Sequence, residues 1–185
     1  DISGVAPNCK ILPIKICDSL GSLSSTYSAL GIIYAYQHGA WLINNSYEAA
    51  AVSAMHNAIS DASSYGRNGK GTLCLFASGN TEGQLYGIQA VNEKIMVIGG
   101  ISPCNQRKSP TSCDNETTWG STFGSNLYAV APCVKIYTTT LNGGVALFNG
   151  TSSACPNAAG VAALVLSVDT NLTWKSLKER IGNSS

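Results

Sequence analysis

Short apolar segments alternate along this chain with segments whose apolar residues recur at helical spacing. The continuous apolar segments predict buried strands at residues 10–16, 41–44, 73–77, 95–98 and 127–130. Strands that alternate with helices are typical of a parallel sheet, since each crossover between parallel strands needs room for a helix. The pattern therefore predicts an α/β fold of three layers, in which a mostly parallel sheet carries helices on both faces.

Two predicted helices lie between the first three of these strands. Leu30, Ile33 and Tyr34 recur at helical spacing before Gly39, and a longer apolar stripe runs through residues 51–62. Glycine is typical of the position just beyond a helix, because it adopts the left-handed backbone conformation without strain. The pattern therefore predicts two helices between the first three strands.

A hairpin and a capped helix are predicted in the last third of the chain. Two segments rich in β-branched and aromatic residues flank Asn142-Gly143, a dipeptide typical of a tight hairpin turn. Thr173 is a candidate N-cap for a final helix. Leu172 and Leu177 have the spacing of a hydrophobic staple around that cap.

The segment between these two features carries the candidate chemistry. Residues 158–166 are apolar on every face, which predicts a helix buried in the middle of the domain. Pro156 is expected in its first turn, where the missing N–H costs least. Ser152 would then lie beside unpaired N–H groups at the positive end of the helix. A serine at this position is usually a cap, but it can also attack a carbonyl and have the resulting oxyanion stabilised.

Composition and charge exclude several classes of partner. The 185 residues suit one domain, and 44% hydrophobic against 11% charged residues indicates a tightly packed core. A net charge of +1, without a cluster of Lys or Arg, argues against nucleic acid and anionic membranes as partners. No apolar segment is expected to reach the length of a membrane span. Residues 1–185 are therefore treated as one unit.

The seven cysteines show no spacing typical of a zinc site. Cys104 and Cys113 flank a polar loop and can close it as a disulfide, which would imply an oxidising compartment. Cys74 and Cys155 lie in apolar segments and are expected to be buried thiols. These features favour a secreted or otherwise extracytoplasmic protein.

Five segments, in order along the chain, resemble segments of the subtilisin-like serine proteases. Residues 150–160 read Gly-Thr-Ser-Ser-Ala-Cys-Pro-Asn-Ala-Ala-Gly, similar to that family's nucleophile motif Gly-Thr-Ser-x-Ala-x-Pro-(usually His)-x-x-Gly. Residues 4–11 resemble its Gly-Val-Ala-Pro segment, and residues 39–46 resemble its Gly-Ala-x-Val-Ile-Asn-x-Ser strand. Residues 77–80 resemble its Ala-x-Gly-Asn turn, and residues 130–132 its Val-Ala-Pro segment. The Gly-x-Ser-x-Gly motif of the α/β-hydrolases does not fit, because Ala replaces its second Gly.

The resemblance implies a serine endopeptidase that acts on polypeptides, and it implies roles by position. Ser152 matches the nucleophile, and Asn80 matches the side chain that donates to the oxyanion. Two segments match those that bind extended peptide by backbone hydrogen bonds, namely Ser46, Tyr47 and Glu48, and Ala77, Ser78 and Gly79. The implied chemistry needs no cofactor and no catalytic metal, and it is compatible with a structural calcium ion.

The largest departure from the family pattern is the absence of two motifs. No segment matches the family's Asp and His motifs, and Asp1 lies too close to residues 4–11 to be that Asp. His38 ends one predicted helix and His56 lies off the apolar stripe of the next, so neither is expected to be catalytic. Glu48 replaces a Gly and is expected to narrow or acidify the cleft. Gln89 replaces a Pro near the specificity pocket.

These departures imply that the chain is the C-terminal part of a catalytic domain. The Asp and His would come from an N-terminal segment of the same domain, and the sheet would be incomplete without the strands of that segment. The alternative is a protease-like domain that has lost its triad and only binds, or a fragment with no activity of its own.

Overall fold

The computed structural model describes residues 2–183, so Asp1 lies outside the described residues. Four strands form a parallel sheet in the order β1-β2-β3-β4, and two more form an antiparallel hairpin. The strands are β1 (Leu42–Asn45), β2 (Leu73–Ala77), β3 (Met96–Ile101), β4 (Leu127–Pro132), β5 (Ile136–Thr139) and β6 (Val145–Phe148). Four of the five predicted strands and the predicted hairpin are thereby confirmed, to within a few residues at their ends.

Helices connect the strands and cover both faces of the sheet. They are α1 (Ser25–Gln37), α2 (Ser53–Tyr65), α3 (Gly87–Val91), α4 (Thr151–Val168) and α5 (Trp174–Gly182). The predicted cap of α5 is confirmed, because the Thr173 hydroxyl accepts a hydrogen bond from the Ser176 N–H at 3.1 Å. Leu172 and Leu177 are both buried beside this cap.

Alternate residues of β2 enter two different hydrophobic cores. Leu73, Leu75 and Ala77 belong to the core that the sheet forms with α4 and α5. Cys74 and Phe76 belong to the core that it forms with α1 and α2. Since side chains of a strand point alternately to its two faces, this division confirms the predicted three-layer α/β fold. Burial also raises the pKa of the Cys74 thiol to about 12, as expected for an unreactive buried cysteine.

Helix α4 packs against all four strands of the parallel sheet but is not buried on every side. Ala158 and Ala162 face the sheet, while Val161, Leu164 and Val168 are exposed to 46, 45 and 88%. The prediction of a helix buried all round is therefore wrong. Its apolar sequence leaves an uncovered apolar face on the side away from the sheet.

The same helix is long and apolar enough, by length and composition, to cross a membrane. The expectation that no segment reaches this length is therefore wrong as well. The core helix of a globular domain passes the same test, and α4 lies in the core through its contacts with the sheet.

Residues 10–16 do not form the predicted strand. Ile11 is 83% exposed, while the side chains of Ile14 and Ile16 pack over Gly31 of α1. A strand needs a neighbour for its backbone N–H and C=O groups, and no strand described between residues 2 and 183 pairs with this segment.

Helix α1 does not bury most of the apolar stripe that its sequence shows. Leu30 and Tyr34 are 53 and 48% exposed, whereas Ala29, Ile32 and Ala35 are buried. Small residues decide which face is buried here, because they let the helix approach α2 and the sheet closely. The exposed face of α1 is a second apolar surface without a partner among the described residues.

The polar loop after β3 folds around a buried lysine. Cys104 and Cys113 form the predicted disulfide across this loop. The fully buried Nζ of Lys108 lies 3.3 Å from Asp114 Oδ1 and donates to the carbonyl of Glu116 at 2.6 Å. It also lies 4.9 Å from the centre of the Trp119 ring. It also donates to the Ser109 carbonyl at 2.6 Å, so the ammonium has two carbonyl partners and one carboxylate partner, which offsets the cost of burying a charge.

Candidate active site

Ser152 lies in the first turn of α4, directly beyond the carboxyl end of the sheet. Gly150 precedes the helix with φ 128° and ψ 160°, a backbone conformation that is nearly restricted to glycine. Pro156 falls in the second turn rather than the first, so it removes the helical N–H that would bond to the Ser152 carbonyl. The start of α4 is therefore shaped by a glycine before it and a proline within it.

Ser46 supplies the hydrogen bond that Pro156 removes. Its hydroxyl donates to the Ser152 carbonyl at 3.0 Å, and the Ser152 hydroxyl donates to the Ser46 carbonyl at 3.1 Å. Ser46 directly follows β1, so this reciprocal pair ties the end of an edge strand to the start of the central helix. The pair also defines where the Ser152 Oγ lies.

Asn80 follows β2 and is oriented by Thr151. Its Oδ1 accepts hydrogen bonds from the Thr151 N–H at 2.8 Å and from the Thr151 hydroxyl at 3.1 Å. The amide nitrogen Nδ2, with two donor hydrogens, is thereby turned toward Gly150. A Cβ atom placed on Gly150 would lie 3.4 Å from Asn80 Nδ2 and 3.7 Å from the Ser152 backbone nitrogen.

Asn80 Nδ2 and the Ser152 N–H therefore lie near one position beside Gly150, and the acceptor Asn80 Oδ1 lies 3.5 Å from the same position. A side-chain amide and the first N–H groups of a helix can together stabilise an oxygen that acquires negative charge. The absence of a side chain at Gly150 keeps this position open. The arrangement is suited to addition of a hydroxyl to a carbonyl group.

The two predicted substrate-binding segments, residues 46–48 and 77–79, lie side by side, because β1 and β2 are neighbours in the sheet. The space beside these two segments is called the cleft below. Gln89 of α3 joins them: its Nε2 donates to the Tyr47 carbonyl at 2.9 Å and to the Ala77 carbonyl at 3.3 Å. Its Oε1 accepts from the Ala49 N–H at 3.5 Å. In the sequence, Gln89 is notable only as a replacement for Pro. Its bridging role depends on its burial in the fold, which the sequence does not indicate.

The side chains of Tyr47 and Ser78 point away from the cleft. The Tyr47 hydroxyl donates to Asn45 Oδ1 at 2.8 Å, and burial raises the pKa of this phenol. Ser78 is buried and lies 3.3 Å from the Ser121 hydroxyl. Neither side chain is therefore available to a substrate, and the Tyr47 carbonyl is already bonded to Gln89.

Glu48 points into the cleft instead. Its Oε1 is buried and accepts no hydrogen bond from residues 2–183. The carboxylate lies directly over Gly79, where a Cβ atom could not be accommodated. Hydrogen bonding to Glu48 raises the pKa of Tyr86 to about 12, and burial and the negative charge of Glu48 act in the same direction.

Neither histidine reaches this site. His38 caps α1 and bonds through Nδ1 to the Tyr34 carbonyl at 2.8 Å, while His56 Nδ1 lies 3.2 Å from the Asn92 amide. Among residues 2–183, the hydroxyl of Ser152 thus bonds to a carbonyl oxygen and to no titratable base. The same residues contain no group of three or more His, Cys, Asp or Glu side chains that could hold a metal ion.

Comparison with known proteins adds an independent line of argument. A sequence model described as "Subtilase family" matches residues 1–185. The chain is 33% identical over 180 residues to alkaline elastase YaB of Bacillus sp. (strain YaB), covering 97% of this chain and 43% of that protein. It is 30% identical over 191 residues to subtilisin DY of Bacillus licheniformis, covering 100% of this chain and 64% of that protein.

Structural comparison gives the same result. The structure of the prenylagaramide maturation protease PagA matches 90% of this chain with a TM-score of 0.70 and 26% identity. The matched region is 58% of that protein. The chain therefore spans about half the length of the proteins that it resembles.

Proposed function

Since this chain belongs to the subtilase family, we propose that it carries the nucleophile and the oxyanion site of a serine endopeptidase. Ser152 Oγ attacks the carbonyl carbon of a peptide bond, and the oxygen of that carbonyl moves between Asn80 Nδ2 and the Ser152 N–H. The single observation that supports the proposal is that these two nitrogens lie 3.4 and 3.7 Å from one point, the position of a Cβ on Gly150.

The polypeptide substrate binds in extended form between the two segments that follow β1 and β2. Ser46, Tyr47 and Glu48 form one side, and Ala77, Ser78 and Gly79 form the other. The bridging amide of Gln89 fixes the spacing of the two sides. Backbone hydrogen bonds to both sides would hold the scissile carbonyl near Ser152, which lowers the entropic cost of attack.

A base must remove the proton of Ser152 during attack, and in this proposal an N-terminal segment of the same domain supplies it. That segment would carry the family's Asp and His and would pack on the uncovered apolar faces. Support comes from the exposed face of α4 and from β1, which is an edge strand in the described sheet. The Ser152 hydroxyl first exchanges its bond to Ser46 for one to the imidazole. The His then accepts the proton as Ser152 Oγ bonds to the carbonyl carbon, and returns it to the leaving amine.

The compartment is part of the same proposal. A disulfide persists in oxidising surroundings, and Cys104–Cys113 therefore supports a secreted or otherwise extracytoplasmic protein. The substrate in this case is a polypeptide outside the cytoplasm, with no cofactor involved in its hydrolysis.

The experiment uses the full-length parent protein and a fluorophosphonate that labels activated serines. We expect labelling and peptide hydrolysis in the wild type and loss of both in Ser152→Ala. Ser167→Ala, on the exposed side of the same helix, is the matched control and should be labelled like the wild type. Mass spectrometry of the labelled peptide identifies the modified residue.

Two results would count against the proposal. Labelling that persists in Ser152→Ala would place the nucleophile elsewhere. A wild-type parent that is folded but neither labels nor hydrolyses peptides would favour the alternative, a protease-like domain that binds without catalysis.

A further inference from the structure

The Glu48 carboxylate occupies an unusual position beside the candidate catalytic residues. It lies over Gly79, the residue directly before Asn80, and close to the Thr122 hydroxyl, which would be 2.9 Å from a Cβ on Gly79. Gly79 has no Cβ and adopts φ 108°, so the Glu48 carboxylate can occupy the space over it. Glu48 therefore borders the part of the cleft nearest to the oxyanion site.

The charge of Glu48 is not compensated within the described chain. None of the ion pairs formed among residues 2–183 includes Glu48, and its Oε1 is buried without a hydrogen bond. By contrast, Glu82 of the same neighbourhood pairs with Arg107 at 3.6 Å. A partly buried carboxylate without a cation is unfavourable, and a positively charged ligand would relieve this cost.

We infer that Glu48 is a specificity-determining residue, whose carboxylate binds a basic side chain of the substrate next to the scissile bond. The inference deepens the proposed function and rests on it for the position of the scissile carbonyl. When that carbonyl lies at Ser152 with its oxygen at Asn80, the adjoining side chain meets the Glu48 carboxylate, which itself occupies the space over Gly79. An arginine or lysine at that place brings the missing cation.

The surroundings of Glu48 suit a long basic side chain. Tyr86, whose pKa Glu48 raises, is 52% exposed, so part of its ring is free to contact the aliphatic stem of Arg or Lys. Since Oε1 is buried against Gly79, a guanidinium or ammonium group approaches the carboxylate from its other oxygen. An uncharged side chain of similar length would displace water from the carboxylate without replacing the hydrogen bonds of that water.

The test measures binding without turnover. Full-length protein with Ser152→Ala is titrated with two fluorescent peptides that differ only in arginine or norleucine before the scissile bond. We expect the arginine peptide to bind about 10- to 100-fold more tightly, as one charge-assisted contact allows. Glu48→Gln, which keeps the shape of the side chain, should remove this difference, and Glu82→Gln should keep it.

Charge reversal provides a second, independent readout. Glu48→Lys should favour a peptide with glutamate at the same place over the arginine peptide. Equal binding of the two original peptides, or an arginine preference that survives Glu48→Gln, would overturn the inference. An equal loss of the arginine preference in Glu82→Gln would also overturn the inference. The preference would then come from the overall negative potential of the cleft and not from Glu48 itself. Since every arm uses Ser152→Ala, these outcomes are separate from labelling and hydrolysis by the wild type.

Discussion

Ser46 and Ser152, 106 positions apart in the chain, donate their hydroxyl hydrogens to each other's carbonyl oxygens, at 3.0 and 3.1 Å. The exchange satisfies a helical carbonyl that Pro156 leaves without its N–H partner. In the proposed reaction, the Ser152 hydroxyl must give up its bond to Ser46 before it attacks a substrate. One pair of hydrogen bonds thus serves the start of α4 and also involves the hydroxyl of the proposed nucleophile.

Asn80→Ala in the parent enzyme should lower kcat by about 10²–10³ with little change in KM. The Nδ2 donor matters mainly when negative charge develops on the substrate oxygen, which occurs in the transition state. Steady-state kinetics on one peptide substrate measures both constants.

Asn80→Asp separates this role from a structural one. The aspartate keeps an acceptor for the Thr151 N–H and hydroxyl, whereas it loses the donor and adds a negative charge. We expect activity to fall at least as far as in Asn80→Ala while the melting temperature stays near that of the wild type. Activity retained in Asn80→Asp would show that Asn80 only holds the start of α4.

Gly150→Ala should destabilise the protein by about 1–3 kcal/mol, because Gly150 has φ 128° and ψ 160°. It should also lower kcat, since the new methyl group would lie 3.4 Å from Asn80 Nδ2 in the space meant for the oxyanion. Urea unfolding and kinetics measure the two effects. Gly143→Ala is the control, because Gly143 also has positive φ but faces open space in the hairpin, so only stability should change.

Lys108→Met should cost about 3–5 kcal/mol of unfolding free energy at pH 7, because it leaves the Asp114 carboxylate buried without its cation. The double variant Lys108→Met/Asp114→Asn should recover part of this loss, since the uncompensated charge is gone. Guanidinium unfolding of the wild type, the two single variants Lys108→Met and Asp114→Asn, and the double variant gives the coupling energy. Strictly additive losses would contradict a direct interaction between the two side chains.

Asp114 also makes stability depend on pH. Burial alone would raise its pKa, but hydrogen bonds from Ser112 and from the Glu116 N–H, together with Lys108, outweigh burial and hold the pKa below its usual range. Because the folded pKa lies below the unfolded value of about 3.9, this contribution is fully present above that pH. It should disappear as the pH falls through the folded pKa. Asp114→Asn should therefore show a shallower loss of stability below pH 4.

Residues 1–185 expressed alone should hydrolyse no casein and should bind a hydrophobic dye strongly. Ser152 has no base within the described residues, and the faces of α1 and α4 away from the sheet remain apolar and exposed. Leu164→Lys, on the exposed face of α4, should reduce dye binding more than Leu141→Lys in the hairpin loop. A monomeric, cooperatively folding product that cleaves casein would refute this prediction.

The sequence predicts the parts of the fold that depend on local pattern. The strands β1 to β4, the hairpin around Asn142-Gly143 and the cap at Thr173 follow from periodicity and turn chemistry, and all are present. Residues 10–16 have the same apolar character as these strands but form none, because a strand also needs a neighbour at hydrogen-bonding distance. Local pattern does not contain that requirement.

The sequence likewise indicates some features of the candidate site and not others. Ser152 and Asn80 stand in recognisable motifs and are brought to one space by the fold. The bridging role of Gln89 and the pair of Lys108 with Asp114 were not foreseen, since a polar residue far along the chain gives no sign of which groups it will meet when buried. Exposed and buried apolar residues are also indistinguishable in sequence, which is why the free faces of α1 and α4 were missed.

The division of β2 between two cores restricts how this protein can change in length. Loss or gain of one residue between Leu73 and Ala77 would turn Phe76 toward α4 and Leu75 toward α2, so that large and small side chains meet the wrong helices. The same shift would rotate Asn80 away from Thr151. Variants of this protein can therefore gain or lose residues in the loops on either side of β2. The strand itself must keep its five residues, even where their side chains vary.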